Sequence, residues 1–90
     1  MREGNIQYAP PMRVLYFGPC RIHAGCDAED IPLAPGATVK ELLDACCARH
    51  PSVAAVRASL QVAVDQEFAP AGTVLKGSEE VAVMPPLSGG

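Results

Sequence analysis

The densest group of potential metal ligands in the sequence is Cys20-x-x-His23-x-x-Cys26, with three donor side chains in seven residues. A closed zinc site needs a fourth ligand at a suitable spacing, and none follows nearby. The four cysteines contain no C-x-x-C pair, and the N-terminus lacks the layout of a secretory signal, so a reducing compartment is expected. The sequence therefore predicts neither a metal site nor a disulfide framework.

Residues for conventional catalysis are equally sparse. The sequence has no nucleophile elbow, no P-loop and no zinc-protease motif. Asp65 and Glu67 form the nearest approach to a carboxylate pair, but their spacing in a polar turn is more typical of solvated side chains. His50 falls in the last turn of a predicted helix, where positive charge complements exposed carbonyls. We expect a chain that does not catalyse by itself.

The most informative residues stand at the end of the sequence, Pro85-Pro86-Leu87-Ser88-Gly89-Gly90. A proline pair holds the backbone extended, and the four residues after it span about 13 Å when fully extended. Glycine has no Cβ, so the final backbone can enter a narrow channel with its carboxylate sterically open. With residue 90 taken as the natural end, the reactive group is the Gly90 carboxylate. A frayed tail is the alternative.

Composition narrows the class of protein further. The 90 residues are 49% hydrophobic with a net charge of −3, which predicts one folded domain rather than a disordered chain. The acidic balance offers no electrostatic footprint for nucleic acid or an anionic membrane. Apolar runs such as Val14 to Phe17 are too short to span a bilayer. These features predict a soluble, cytoplasmic protein.

Several elements must position this tail. Residues 1–11 lack periodicity and are interpreted as a flexible leader, residues 12–84 as the domain and residues 85–90 as an extended tail. The run Arg13 to Phe17 predicts a central strand buried on both faces. A helical turn over Cys20 to Cys26, closed by Gly25, and a second strand over Ala28 to Leu33 follow.

The main helix is the most strongly signalled element. Thr38 and Glu41 have the spacing of a capping box, so the helix should begin at Thr38. It should end near His50, because Pro51 disfavours helical geometry in the residue before it. Its apolar stripe predicts the side that packs on the sheet. The stripe consists of Val39, Leu42, Leu43, Cys46 and Cys47.

The second half of the chain favours strands. Ser52 to Ser59 is predicted to form a short helix, and the alternation of Leu60, Val62 and Val64 with polar or small residues predicts a half-buried strand. A turn at Asp65 to Glu67, a short strand over Thr73 to Leu75 and a last strand over Val81 to Met84 complete the order. The expected architecture is α+β, with one main helix packed across a small mixed sheet.

A diglycine end after a proline pair and a single-helix domain resembles the β-grasp sulfur carriers of the ubiquitin-like superfamily. More narrowly, the chain resembles the MoaD-like family, the small sulfur-carrier subunits of molybdopterin synthase. The resemblance covers residues 12–90. The stretches that carry it are Val14 to Gly18, Thr38-Val39, His50-Pro51, Val62 to Glu67 and Glu80 to Gly90.

This resemblance implies a β-grasp fold and a defined chemistry. The Gly90 carboxylate would be adenylated with ATP by an E1-like enzyme and converted to a thiocarboxylate by persulfide sulfur. The sulfur would pass to cyclic pyranopterin monophosphate to build the molybdopterin dithiolene. No permanently bound cofactor is implied, only a transient AMP adduct and the thiocarboxylate sulfur at Gly90.

The resemblance also implies partners. A large synthase subunit would supply the catalytic residues, in a heterotetramer of two small and two large subunits. Residues Pro85 to Gly89 would insert into it, and Phe17 and Met84 would contribute to docking. The family often has a larger aromatic residue before the proline pair, where this chain has Met84. From the residues alone, Phe17 fits the core as well as a docking surface.

Other functions fit the same ending. A sulfur carrier for thiamine thiazole synthesis or tRNA thiolation would use the same chemistry at Gly90. A ubiquitin-like modifier would instead join Gly90 to target lysines. A plain interaction module would leave the tail inert, and deletion of Gly90 would then change nothing.

Overall fold

The architecture is a mixed sheet with its helices on one face. The computed structural model describes residues 11–34 and 36–86, and in this part of the chain five strands form one sheet in the order β2-β1-β5-β3-β4. The strands are β1 (Met12–Tyr16), β2 (Ala28–Ile31), β3 (Gln61–Val64), β4 (Glu67–Phe68) and β5 (Val81–Met84). The helices are α1 (Pro19–Ala24), α2 (Val39–Arg49) and α3 (Pro51–Ala55), and a 3₁₀ turn spans Arg57–Ser59.

Strand β5 is the middle strand of the sheet. It pairs parallel with β1 and antiparallel with β3, and the outer pairs β1–β2 and β3–β4 are antiparallel. One parallel pair among antiparallel ones makes the sheet mixed, and α2 is the longest helix at 11 residues. The predicted α+β architecture with one main helix is confirmed.

Helix α2 begins and ends where its capping residues predict. The Thr38 Oγ1 accepts the Glu41 N–H at 3.3 Å, and the Glu41 Oε1 accepts the Thr38 N–H at 2.8 Å, so the capping box is complete. At the other end His50 leaves helical geometry and Pro51 starts α3. The single short helix predicted over Ser52 to Ser59 is two pieces, α3 and the 3₁₀ turn.

The core lies between the sheet and the helices. Val39, Leu42 and Cys46 of the predicted stripe are buried, whereas Leu43 and Cys47 at its margin are only partly buried. These side chains pack among the inward residues of the strands, which makes the helix–sheet interface the main source of hydrophobic stabilisation. The largest fully buried side chains are Tyr16, Ile31, Leu42, Val14, Val39, Val53, Val81 and Val83.

The prediction that the first strand is buried on both faces is wrong. Met12, Val14 and Tyr16 are buried, but Arg13 is exposed and Leu15 is only half-buried. Successive side chains of a strand point to opposite faces. In the described part of the chain the helices pack on only one face of this sheet. The strand is nevertheless an inner one, flanked by β2 and β5. The second predicted strand stops at Ile31, because Pro32 has no N–H to extend the ladder.

Three predictions in the second half also need correction. Strand β3 does not alternate simply, since Val62 and Ala63 are both buried. The turn before β4 consists of Asp65 and Gln66 only, both with positive φ, and Glu67 belongs to the strand. No strand forms over residues 73–75 of the described chain, where a single bridge joins Val74 to Thr38.

The two ends of the sequence are not included in this description of the fold. Most of the predicted leader (residues 1–10) and the tail residues Leu87–Gly90 lie outside the described residues. The division into leader, domain and tail therefore stays a prediction. Within the described ranges, no helix has the length and apolar character required to cross a membrane.

Candidate functional site

The strand that leads into the tail ends beside β1. The Phe17 N–H donates to the Val83 carbonyl at 3.0 Å, which continues the parallel pairing to the end of β5. Gly18 follows with φ +57°, and a Cβ built on it would lie 3.5 Å from Cγ of Pro85. The left-handed conformation at Gly18 thus turns β1 away where the chain leaves β5 through Pro85.

One face of the sheet is apolar, and no helix of residues 11–34 and 36–86 covers it. We call this surface the open sheet face, and it consists of Leu15, Phe17, Ala63, Phe68, Ala82 and Met84. The register explains why these residues come together, since Leu15 pairs with Ala82, Ala82 with Ala63, and Ala63 with Phe68. Directly paired residues share one face of a sheet, so a single apolar row crosses four strands.

Two aromatic side chains stand out on this surface. Phe17 is 47% exposed and Phe68 is 54% exposed, whereas Ala63 and Ala82 between them are buried. The large side chains therefore border a shallow groove of about 340 Å³ with a floor of alanines, and Gln66 and Glu80 supply its polar rim. An exposed apolar groove with a polar rim is typical of a protein interaction surface.

The sequence-predicted site residues are distributed as follows. Phe17 and Met84 lie together on the open sheet face, so the side chain of Phe17 is outside the helix-covered core. Pro85 is half-buried beside Gly18, Pro86 is exposed, and Leu87, Ser88, Gly89 and Gly90 lie outside the described residues. The docking and tail roles predicted for these residues stay predictions.

Sequence reasoning missed four members of the open sheet face: Leu15, Ala63, Phe68 and Ala82. A signal for two of them is visible in the sequence, because Val62-Ala63-Val64 and Val81-Ala82-Val83 have no polar residue at alternate positions. Such runs indicate strands that are apolar on both faces. The run Val14 to Phe17 gives the same signal for a third member, Leu15, whereas Phe68 carries none.

A polar cluster lies on the opposite, helix-covered side of the sheet. The Glu29 carboxylate accepts the Tyr16 hydroxyl at 2.5 Å and bonds His50 Nε2 at 2.7 Å through the same oxygen, and Arg49 reaches its other oxygen at 3.3 Å. Burial acts to raise the pKa of Glu29, but the hydrogen bonds from Tyr16 and His50 bring it below its ordinary value. Burial and the neighbouring Cys46 and Glu29 raise the pKa of Tyr16.

Comparison with known proteins then identifies the family. Residues 14–90 match the ThiS family. The matched segment is most of the chain and includes the diglycine. The chain belongs to the ThiS family. This ThiS-family chain is 37% identical over 81 residues to the molybdopterin synthase sulfur carrier subunit of Chlamydomonas reinhardtii, and the match covers 88% of the chain and 98% of the relative.

Solved structures agree on the fold of this ThiS-family chain. A putative molybdopterin converting factor, subunit 1, from Pyrococcus furiosus superposes with a TM-score of 0.77 at 30% identity, covering 84% of this chain and 97% of that one. The small archaeal modifier protein 1 of Haloferax volcanii superposes with a TM-score of 0.75 at 25% identity, with coverage of 84% and 97%. The predicted ubiquitin-like β-grasp fold is confirmed.

Proposed function

We propose that this chain is the sulfur carrier subunit of a molybdopterin synthase, with the carboxylate of Gly90 as the group that carries sulfur. The observation that supports it most is the position of β5, whose end at Met84 and Pro85 meets the edge of the open sheet face. A carrier needs this arrangement, because a partner that binds the face also receives the tail. The Chlamydomonas relative, which carries this name, supports the pathway.

The chemistry begins at the Gly90 carboxylate, which is a poor acyl donor and must first be activated. A carboxylate oxygen of Gly90 attacks the α-phosphorus of ATP on an E1-like enzyme, and pyrophosphate leaves. Persulfide sulfur then attacks the acyl carbon of the mixed anhydride and AMP leaves. A thiol then attacks the enzyme-side sulfur of the resulting acyl disulfide. A disulfide forms on the enzyme, the bond between that sulfur and the acyl-bound sulfur breaks, and the thiocarboxylate of Gly90 leaves. No side chain of this carrier takes part, in accordance with the absence of a catalytic motif from its sequence.

The open sheet face would dock the large subunit, which would supply the catalytic residues for sulfur transfer to cyclic pyranopterin monophosphate. Phe17 and Phe68 are suited to this role, since half-exposed aromatic side chains lose much apolar surface to water when a partner covers them. Residues Pro85 to Gly90 would enter the partner's active site. We propose a heterotetramer of two small and two large subunits.

Mass spectrometry of the C-terminus tests the chemistry. After incubation with an E1-like enzyme, ATP and a persulfide donor, the intact mass should increase by the difference between one sulfur and one oxygen atom. The increase should be absent from a variant lacking Gly90 and from a variant with one alanine added after it, because both displace the carboxylate from the reacting position. Molybdopterin formation by the Gly90-deleted chain would overturn the proposal.

A matched pair of substitutions tests the docking surface. Phe68→Asp places a charge on the open sheet face, and Ile22→Asp places one at an 82% exposed position of α1 outside that face. By calorimetric titration with the large subunit, Phe68→Asp should weaken binding at least tenfold and Ile22→Asp by less than about twofold, because a desolvated charge at an interface centre costs roughly 2 kcal/mol or more. Equal effects would show that docking uses another surface.

Protein modification is a second candidate, favoured by the structural likeness to the archaeal modifier protein. It predicts an isopeptide bond between Gly90 and lysines of target proteins after activation, visible by peptide mapping. A carrier for thiamine or tRNA thiolation would form the same thiocarboxylate. Only a molybdopterin synthase carrier should yield the dithiolene product when mixed with the large subunit.

A further inference from the structure

Three potential metal ligands from separate elements meet on the helix-covered side of the sheet. Cys26 lies in the loop between α1 and β2, Glu29 lies in β2, and His50 ends α2. The Cys26 sulfur, a Glu29 carboxylate oxygen and a His50 ring nitrogen all lie within 4.8 Å of one another. Among residues 11–34 and 36–86 this is the only such group of three, and it includes neither Cys20 nor His23 of the sequence motif.

We propose that Cys26, Glu29 and His50 form a binding site for a divalent zinc-class cation, with a fourth position open to water. Thiolate, imidazole and carboxylate are the ligands that zinc takes in proteins, and three of them with an open position form a known class of zinc site. The thiolate and the carboxylate together balance the charge of a divalent cation.

The spacing of the donors requires only small adjustments. Tetrahedral zinc, with bonds of about 2.0–2.3 Å, places its ligand atoms about 3.3–3.6 Å apart. The Glu29 and His50 atoms are 2.7 Å apart and would separate by less than about 1 Å. The Cys26 sulfur lies within 4.8 Å of them and would approach by at most about 1.5 Å. Side-chain rotations cover such distances without a change in the backbone.

The hydrogen bonds around Glu29 also favour its role as a metal ligand. The Tyr16 hydroxyl donates to one oxygen of the carboxylate and Arg49 to the other, so its orientation is held when His50 turns to the metal. Carboxylate ligands of metal sites are commonly fixed by such outer hydrogen bonds. The side chains of Glu29 and His50 are 15% and 19% exposed, which leaves a path for the ion to enter from solvent.

The same three residue types could suggest a nucleophilic cysteine, but the environment opposes this. Partial burial and the carboxylates of Glu29 and Asp27 raise the pKa of the Cys26 thiol. A reactive cysteine instead has an environment that lowers its pKa. A bound cation would supply the missing positive charge, since a coordinating thiol loses its proton to the metal.

This site is independent of the proposed function. Tyr16 and Glu29 belong to the helix-covered side of the sheet, whereas Phe17 and Phe68 lie on the open sheet face. Substitutions at the site should therefore abolish metal binding without preventing formation of the thiocarboxylate. Failure of one proposal leaves the other standing.

The experiment titrates the full, tag-free chain with Zn²⁺ and Co²⁺ after treatment with a chelator and a reductant. We expect one equivalent of Zn²⁺ in calorimetry, and with Co²⁺ a sulfur-to-metal charge-transfer band and visible bands typical of tetrahedral cobalt. Cys26→Ser should remove the charge-transfer band, and His50→Gln should weaken Zn²⁺ binding at least tenfold. Circular dichroism establishes that each variant is folded.

Matched controls separate this site from incidental binding. His23→Gln tests the neighbouring sequence motif and Cys47→Ser tests another partly buried thiol, and both should bind Zn²⁺ within about twofold of the parent chain. Cobalt spectra without a sulfur band would overturn the proposal. Loss of binding in His23→Gln with retention in His50→Gln would also overturn it, because the ligands would then belong to the Cys20–His23–Cys26 motif. If His50→Gln does not fold, Cys26→Ala provides the same test.

Discussion

Replacement of Tyr16 by phenylalanine should change stability in opposite directions at neutral and at high pH. Tyr16 is 1% exposed, and its hydroxyl donates to the Glu29 carboxylate at 2.5 Å. Tyr16→Phe keeps the ring and removes one donor to a partly buried charge. Hydrogen bonds to charged groups contribute about 1.5–3 kcal/mol, so at pH 7 the variant should be less stable by that amount.

The sign reverses because Tyr16 must stay protonated in the folded state. Burial raises its pKa there, while in the unfolded chain it ionises near its ordinary value of about 10. The stability that depends on a raised pKa is present below the unfolded value and is lost as pH rises above it. Between pH 9 and 11 the parent chain should lose about 1.4 kcal/mol relative to the variant, and the two stabilities should cross at about pH 11 to 12.

Urea unfolding followed by far-ultraviolet circular dichroism at pH 7, 9, 10 and 11, with a reductant present, measures both free energies of unfolding. Ionisations shared by the two proteins cancel in the difference. A difference that stays constant from pH 7 to 11 would refute the reasoning, because the Tyr16 hydroxyl would then titrate equally in the folded and unfolded states. A variant as stable as the parent at pH 7 would show that the bond to Glu29 contributes nothing.

Two further predictions concern backbone conformation. Gln66→Gly should stabilise the fold by about 0.5–1 kcal/mol, since Gln66 has φ 73° in the turn between β3 and β4; a urea midpoint that does not rise would contradict this. Gly18→Ala should destabilise the fold by about 1–3 kcal/mol, because alanine is strained at the φ of +57° that Gly18 adopts. Steric contact adds little, since the new Cβ would meet Pro85 at an ordinary contact distance. An unchanged melting temperature would show that the fold does not need a positive φ at this position.

Local signals predicted the elements best where they act within a few residues. The capping box of Thr38 and Glu41 set the start of α2, and Pro51 set its end, because each acts through the hydrogen bonds of one helical turn. The apolar run between Glu80 and Pro85 predicts strand β5 with its observed bounds. The bridge at Val74 was mistaken for a strand, since pairing depends on a distant partner, here Thr38.

In the candidate site, too, the local features can be predicted from the sequence and the features that depend on distant partners cannot. The diglycine and the proline pair can be recognised from the sequence because their properties reside in the backbone and need no neighbour. The open sheet face could not be recognised in full, because strand alternation says which residues share a face but not which face the helices cover. Leu15 and Phe68, 53 positions apart in the sequence, share one apolar row only through the register of four strands.

The class of fold and the main helix could be read from the sequence because both depend on residue type and short spacing. The chemistry at Gly90 stays a prediction made from the same kind of local signal. Two features are visible only in the folded chain: Phe17 lies outside the core, and Cys26 meets Glu29 and His50 rather than His23. The physical reason is that strand pairing and helix packing join residues far apart in the chain. His50 reaches Glu29 across 21 positions because α2 ends over the strand that carries the carboxylate.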